Sequence, residues 1–264
     1  MGVCLNKHSA VRRIMYADCK ALAQPSIKLL QLFWEVREFK HLKVDARLAE
    51  FTNPRLAGVW SKLLAWKLMA GEFDKVLLLD TDLVVVGSVD AIFQGPAPAA
   101  VMRGTGDWSP EKPRPAESYF RNRDLVGGIN GGVVILVPDA DEHERMLTTL
   151  PHFAPRASTQ VAGAEQDFLS WYFAGRMHAL HRCWNFQVHQ LSLSGRRASD
   201  QSELMKLMRC PKDVKIWHFS TDYKPAHVML GTATPMKGKQ FDKPWFPSRF
   251  ANTICDIMLA KAHR

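Results

Sequence analysis

Two aspartates separated by one residue follow a short apolar run and are the first candidates for chemistry. The run Val76–Leu79 leads directly into Asp80-Thr81-Asp82. Because residues two apart on an extended chain point to the same side, both carboxylates can face one point. Two neighbouring carboxylates repel each other unless a cation lies between them, and a divalent metal there can also hold a diphosphate. The spacing therefore predicts a metal site at the end of a strand.

The same pattern occurs a second time, so the spacing alone is a weak signal. Sixteen aspartates among 264 residues give about one Asp-x-Asp by chance. Asp139-Ala140-Asp141 follows Pro138 and precedes a segment with helical character. Because the helix dipole favours acidic residues in the first turn, we interpret this second pair as a helix start. For Asp80 and Asp82, a strand-end turn with solvated acids stays the alternative.

A histidine and a lysine late in the chain extend the candidate set. His218 ends an apolar strand candidate, and Lys224 follows six residues later. Taken singly, His218 is typical of a packed core or edge histidine, and Lys224 of a solvated surface lysine. Beside an acid pair, however, an imidazole can complete a ligand set, which favours Mn²⁺ over Mg²⁺. A lysine in the same place can neutralise a phosphate.

The elements that must position these groups alternate between short apolar runs and longer amphipathic segments. This alternation predicts an α/β protein with a mostly parallel sheet, in which ligands bind beyond the carboxyl ends of the strands. Strands are predicted at 11–16, 75–79, 83–86, 133–137 and 214–219, and helices at 25–36, from Asn53 onward, at 139–150 and at 164–173.

Composition is that of a globular protein with a basic balance. The chain has 264 residues, 47% of them hydrophobic, and 35 Lys and Arg against 26 Asp and Glu give a net charge of +9. This composition excludes a disordered chain, a collagen and a small disulfide scaffold. The charge indicates either a soluble basic surface or an anionic partner such as a nucleotide, a phosphate or an acidic membrane face. No basic stripe is interleaved with aromatic residues, so nucleic acid is not an expected partner.

Cysteine usage and the N-terminal residues bear on the compartment. The five cysteines form no Cys-x-x-Cys pair, so free thiols are the default expectation. No stretch reaches the roughly 18 apolar residues of a membrane span. The first 25 residues lack the apolar core of a signal peptide. These features predict a cytoplasmic protein, with the Golgi lumen as the alternative if an N-terminal anchor precedes the sequence.

Five short blocks follow one another in a fixed order and together carry a family resemblance. They are 60–66 with Lys62, 76–85 with the Asp-x-Asp pair, 130–135 (Asn-Gly-Gly-Val-Val-Ile), 164–169 (Ala-Glu-Gln-Asp-Phe-Leu) and 218–225, which begins at His218. In this order they resemble glycosyltransferase family 8, the glycogenin-like retaining transferases with the GT-A fold. The likeness extends over about residues 11–225, and five ordered blocks are far more specific than any one of them.

The resemblance implies a fold, a donor and a set of site residues. The implied fold is a single catalytic domain over 1–264, with a mostly parallel Rossmann-like sheet and helices on both faces. The implied donor is a UDP-sugar held with Mn²⁺. The implied roles are metal binding by Asp80, Asp82 and His218, donor binding by Lys62, Asp80, Thr81, Asn130, Gly131, Gly132 and Lys224, and a position near the reacting anomeric carbon for Gln166 and Glu165.

Elementary chemistry is consistent with these roles. Departure of a nucleoside diphosphate builds negative charge on its β-phosphate, and a metal with one or two lysines stabilises that charge most while the bond breaks. The sugar becomes oxocarbenium-like, which favours nearby amide or carboxylate oxygens. Glycines at 131 and 132 allow the backbone to approach the sugar closely, although tight strand packing would also explain them.

The sequence departs from the family pattern in three places. Glu165 stands where many members have Asp, which moves the carboxylate outward by one methylene. Thr221 and Ala226 replace a glycine and a tryptophan in the last block. The family also opens with a strand and helix ahead of the block at 11–16, and only ten residues precede Val11 here. Loss of that strand would expose a neighbour's backbone edge, so either another segment fills its place, or the chain is N-terminally truncated, or it binds donor poorly.

Three functions are compatible with the sequence. The first is a metal-dependent retaining transfer of a hexose or related sugar from a UDP-sugar to an acceptor hydroxyl on a carbohydrate or glycosylated partner. The second is a non-catalytic member that binds nucleotide-sugar or carbohydrate. The third is an unrelated phosphohydrolase that uses Asp80 and Asp82. The oligomeric state is left open, with a homodimer as one alternative.

Overall fold

The computed structural model describes residues 9–44, 58–103, 128–153, 164–188 and 213–220. The described α-helices are α1 (Gln24–Gln31), α2 (Leu64–Leu68), α3 (Ala140–Thr149) and α4 (Ala164–Tyr172). The described strands are β1 (Ile14–Ala17), β2 (Glu35–Glu38), β3 (Val76–Leu79), β4 (Leu83–Val85), β5 (Ala99–Met102), β6 (Ile129–Leu136), β7 (His178–Leu180), β8 (Phe186–Gln187) and β9 (Ile216–His218). Short 3₁₀ turns occupy Val59–Leu63, Asp90–Gln94, Leu150–His152 and Arg182–Trp184.

These strands form a four-stranded sheet, a three-stranded sheet and a pair. The sheet orders are β3-β6-β5-β7, β4-β9-β8 and β1-β2. The α/β class is confirmed. The ladders are divided between parallel and antiparallel rather than mostly parallel, because β6 runs against both of its neighbours and β9 runs against β4.

Strand β6 is the centre of the large sheet and is buried along its whole length. Its sequence is apolar except at Asn130, as expected for a strand covered on both faces. Val134 and Leu136 pack in the cluster that contains helix residues such as Trp66. Val133 and Ile135 pack on the opposite side with residues of β4 and β9. Within the described part of the chain, helices therefore cover one face of this sheet and the three-stranded sheet covers the other, whereas helices were expected on both.

Helix α1 ends earlier than its apolar periodicity predicts. A helix was expected over 25–36, but the helix stops at Gln31 and Glu35–Glu38 forms β2. Parallel pairing with β1 extends this segment. Glu35 also bonds Arg12 at 2.6 Å and Arg37 at 2.7 Å. These contacts come from distant residues, so a local pattern does not contain them.

Helix α3 begins where the second Asp-x-Asp predicts. The carboxylate of Asp139 accepts a hydrogen bond from the backbone N–H of Glu142 at 2.8 Å. Asp139 is thus the N-cap, and Asp141 and Glu142 lie in the first turn, where the dipole favours acids. The helix-start interpretation of this pair is confirmed.

A cavity of about 1160 Å³ separates β1 from β3. Consecutive residues 11–16 line one side, and consecutive residues 74–82 line the other. In the described ranges β1 pairs with β2, and β3 pairs with β6. The side of β3 away from β6 therefore borders open space, and all four of its residues are half-buried rather than buried. The expected loss of an opening strand stays a prediction.

Two further expectations concern thiols and membranes. Cys19 and Cys183 are free thiols, and the other three cysteines lie outside the described residues. No helix in the described ranges has the length and apolarity that a bilayer span requires.

Candidate active site

Asp80, Asp82 and His218 meet where the large and the three-stranded sheets come together. Asp80 follows β3, Asp82 precedes β4, and His218 is the last residue of β9. The β4–β9 register places Leu83 opposite His218, and the backbone N–H of Phe219 donates to the carbonyl of Asp82 at 3.0 Å. This pairing brings residues 136 positions apart into one cluster, in which one ligand atom of each lies within 4.8 Å of the others.

The three groups point at a shared space. His218 Nε2 lies 3.3 Å from Asp82 Oδ1 and 3.9 Å from Asp80 Oδ2. The His218 side chain is 3% exposed, while those of Asp80 and Asp82 are 26% and 22% exposed. The imidazole is thus fixed in the interior, and the carboxylates border solvent through which a ligand can enter.

The donor set and its spacing fit a divalent cation. Ligand atoms at right angles around a small divalent ion lie about 3 Å apart when each bond is about 2.1 Å. Two carboxylates with one imidazole nitrogen suit a first-row ion such as Mn²⁺.

Lys62 connects the cluster to the helical side of the sheet. Its Nζ lies 2.7 Å from Asp80 Oδ1 and 2.9 Å from Glu165 Oε1, and it donates to the carbonyl of Gly131 at 3.3 Å. Burial by itself would lower the pKa of Lys62, but the carboxylates of Glu165 and Asp80 outweigh it, and the pKa lies above its ordinary value. The ammonium therefore stays charged beside the cluster.

Glu165 and Gln166 lie in the first turn of helix α4 and face strand β6. Gln166 Oε1 accepts from the backbone N–H of Gly131 at 2.9 Å. Glu165 is 4% exposed, and its Oε2 has no hydrogen-bond partner in the structure. A buried acceptor without a partner is costly unless a ligand supplies a donor.

Asn130 and Gly132 lie at the start of β6, beside the histidine. Asn130 Oδ1 accepts from the backbone N–H of Gly132 at 3.0 Å, and the carbonyl of Gly132 accepts from the backbone N–H of Asp80 at 2.9 Å. A Cβ at position 132 would lie 2.3 Å from His218 Cε1. The glycine therefore leaves room for the imidazole. This contact favours the tight-packing explanation for position 132, and close approach of its backbone to a sugar stays a prediction.

Two residues that sequence reasoning missed complete the polar network. Asn185 Oδ1 lies 2.9 Å from His218 Nδ1, and Asn185 Nδ2 donates to Asn130 Oδ1 at 2.8 Å. Gln187 Oε1 accepts from Asn130 Nδ2 at 3.0 Å. Asn185 precedes the two-residue strand β8, and Gln187 is its second residue. A strand this short has too few positions to show a periodic pattern. The signal available in the sequence was the pair of amide residues on either side of Phe186.

Two predicted donor residues remain, Thr81 and Lys224. Thr81 is exposed and lines the cavity between β1 and β3 together with Asp80 and Asp82. Lys224 lies outside the described residues. The structure thus brings together the expected residues of the first four blocks, with His218 from the fifth.

Comparison with known proteins identifies the family. Residues 12–228 match the family profile described as Glycosyl transferase family 8. The chain belongs to glycosyltransferase family 8. The match covers the ordered blocks on which the resemblance was based.

Individual relatives are distant. Uncharacterized protein R707 of Acanthamoeba polyphaga mimivirus is 26% identical over 197 residues, which are 75% of this chain and 65% of the relative's length. The apo-form glycosyltransferase GlyE of Streptococcus pneumoniae TIGR4 aligns with a TM-score of 0.50 at 16% identity, over 99% of this chain and 58% of GlyE. Mouse xyloside xylosyltransferase 1 aligns with a TM-score of 0.44 at 16% identity, over 83% of this chain and 90% of that one. The likeness to GlyE concerns the fold and agrees with the GT-A fold that the resemblance implied.

Proposed function

We propose that this family 8 chain is a metal-dependent retaining glycosyltransferase that moves a hexose or related sugar from a UDP-sugar to an acceptor hydroxyl. The observation that carries the proposal is the convergence of Asp80, Asp82 and His218 at the junction of two sheets. In the reaction the bond from the anomeric carbon to the β-phosphate oxygen breaks with its electron pair on that oxygen, a bond to the acceptor oxygen forms, and the acceptor proton passes to the departing UDP.

Asp80, Asp82 and His218 would hold the divalent ion, which when bound supplies positive charge to the diphosphate of the donor. Lys62 adds a second charge on the same side, since its ammonium contacts Asp80 directly. A fixed, partly buried charge of this kind stabilises a leaving group most while the bond breaks, because it needs no reorientation at that moment.

The sugar side is assigned to the residues where α4 meets β6. The unpartnered Glu165 Oε2 supports this assignment, because a sugar hydroxyl would supply the donor that the structure lacks there. Gln166 is held by the backbone of Gly131, which fixes its amide beside the same space. We assign Gln166 to the vicinity of the anomeric carbon, where its polarity would stabilise an oxocarbenium-like centre.

The second Asp-x-Asp of the chain provides a matched test. Asp82→Asn removes one carboxylate from the metal cluster and is almost isosteric. Asp141→Asn makes the same change in the exposed first turn of α3, away from the cluster. Each variant is mixed with Mn²⁺ and a panel of UDP-sugars, with and without simple carbohydrate acceptors, and UDP release is measured. Mn²⁺ affinity is measured separately by calorimetry.

Asp82→Asn is expected to lower UDP release by orders of magnitude and to weaken Mn²⁺ binding, because the anionic ligand is lost. Asp141→Asn is expected to change neither. Equal activity in Asp82→Asn and the unmodified protein would contradict the metal assignment. Donor binding without turnover toward any acceptor would favour a non-catalytic member, and hydrolysis of simple phosphate esters without nucleotide-sugar would favour a phosphohydrolase.

A further inference from the structure

Asn185 has a buried amide that contacts Nδ1 of the predicted metal-binding His218, the ring nitrogen that does not face Asp82. It follows the 3₁₀ turn Arg182–Trp184, precedes β8 and is 1% exposed. Its two polar atoms face different partners, His218 Nδ1 at 2.9 Å and Asn130 Oδ1 at 2.8 Å. A buried amide with two such partners has one orientation in which both contacts are hydrogen bonds.

That orientation can be deduced from a backbone group whose chemistry is not ambiguous. The N–H of Gly132 is a donor, so the Asn130 atom 3.0 Å away must be the carbonyl oxygen. The Asn185 atom that meets the same oxygen must then be the amide nitrogen. Gln187 Oε1, which accepts from the other end of the Asn130 amide, is consistent with this assignment.

The orientation of Asn185 determines which ring nitrogen of His218 carries the proton. With the amide nitrogen directed at Asn130, the carbonyl oxygen of Asn185 faces Nδ1, and only a protonated Nδ1 can donate to it. In a neutral ring the lone pair then lies on Nε2. This is the nitrogen that faces Asp82 Oδ1 at 3.3 Å.

We propose that Asn185 is a positioning residue that holds His218 as the Nδ1–H tautomer, so that Nε2 presents its lone pair to a cation shared with Asp80 and Asp82. The proposal rests on the proposed metal-dependent function for its purpose but not for its geometry. Outer partners of this kind fix the ring and the tautomer of histidine ligands. Because Asn130 holds both Asn185 and the backbone of Gly132, the start of β6 also sets the position of the ring.

The first measurement tests the tautomer without metal, donor or turnover. Protein with ¹⁵N-labelled histidine is purified metal-free, and its imidazole nitrogens are observed by NMR at alkaline pH. Comparison with His218→Gln identifies the His218 signals. The expected spectrum is that of a ring protonated at Nδ1. A ring protonated at Nε2 in the unmodified protein would overturn the proposal, whatever any variant does.

The second measurement compares two buried polar truncations. Asn185→Ala removes the acceptor opposite Nδ1. Ser170→Ala is the control, since its hydroxyl accepts from the backbone of Ile129 and donates to the carbonyl of Gln166 without contacting His218. Asn185→Ala is expected to lose the uniform Nδ1–H tautomer and to weaken Mn²⁺ binding by about 10- to 100-fold. Ser170→Ala is expected to keep both, although it too loses buried hydrogen bonds.

The outcomes separate this proposal from the proposed function. Asn185→Ala could keep the tautomer and the Mn²⁺ affinity and lose only thermal stability, which is the result expected for Ser170→Ala. Asn185 would then be a packing residue, and the proposal would fail. If the unmodified protein binds no Mn²⁺, the metal-dependent function fails, and the metal-free spectrum still decides the role of Asn185.

Discussion

Gly132 and His218 are in such close contact that position 132 has no room for a Cβ atom. A Cβ at position 132 would lie 2.3 Å from Cε1 and 2.7 Å from Nδ1 of the imidazole. The ring cannot easily move aside, because it is buried and bonded to Asn185. At position 131 the nearest atoms would lie 3.2 Å away, on Gln166 and Glu165, which is tight but not prohibitive.

The adjacent glycines therefore make a matched pair of substitutions. Gly132→Ala is expected to displace His218, to abolish measurable Mn²⁺ binding and to destabilise the protein by about 1–3 kcal/mol through overpacking. Gly131→Ala is expected to retain Mn²⁺ binding, since its Cβ would face α4 instead of the histidine. Calorimetric titration and urea denaturation measure the two effects. Retained Mn²⁺ affinity in Gly132→Ala would show that the ring has more freedom than this packing allows.

At the level of single elements, helix α3 is stabilised by a cap that the sequence shows directly. Asp139→Ala removes the acceptor for the Glu142 N–H and is expected to lower the free energy of unfolding by about 1 kcal/mol. Asp139→Ser keeps a capping oxygen and should lose much less. Urea denaturation of both variants checks the difference. A loss of equal size in both would mean that the cap contributes through charge rather than through its hydrogen bond.

Elements were predictable where one local pattern determined them. Strand β3 and its two aspartates follow from a run of apolar residues and a two-residue period, and the start of α3 follows from its capping acid. The early end of α1 was not predictable, because β2 is a charged segment that becomes a strand by pairing with β1. The orientation of β6 was not predictable either, because no local signal distinguishes a parallel from an antiparallel buried strand.

The candidate site was predictable in part, from local patterns for some residues and from the family resemblance for others. Residue type and strand-end position indicated Asp80, Asp82 and His218, while the family resemblance supplied Lys62 and Gln166. Asn185 remained hidden because its role depends on the direction of one amide, which three-dimensional contacts with Asn130 and His218 determine.

At the scale of the whole molecule, an exposed ionic network connects the β1–β2 pair to the segment before β3. Glu72 bonds Arg12 at 2.7 Å and Arg37 at 2.6 Å. The hydrogen bond from Arg37 is the main reason that the pKa of Glu72 falls from 4.5 to about 2. A carboxyl whose pKa is depressed by folding stabilises the folded state above its unfolded pKa, and this contribution disappears as the pH falls toward its folded pKa.

The melting temperature is therefore expected to decrease between about pH 4.5 and about pH 2, with part of the decrease due to Glu72. Glu72→Gln should show a shallower decrease over this range and a lower melting temperature at pH 7. High salt should reduce the difference, because the network is exposed to solvent. Thermal melts across this pH range provide the measurement, and identical pH profiles for the two proteins would assign the acid sensitivity to other carboxyls.

The turn from Asp80 to Asp82 is also the covalent passage from the four-stranded sheet into the three-stranded one, and His218 belongs to the latter. A divalent ion bound there would add a link between two layers that are also joined by side-chain packing and by the hydrogen bonds of Asn130 with Asn185 and Gln187. A ligand that binds only the folded chain adds about 2.7 kcal/mol to the free energy of unfolding at a hundredfold excess over its dissociation constant. The stability of the folded protein would therefore increase with occupancy of the site. Under the proposed function, removal of the ion should therefore lower the melting temperature as well as the transferase activity.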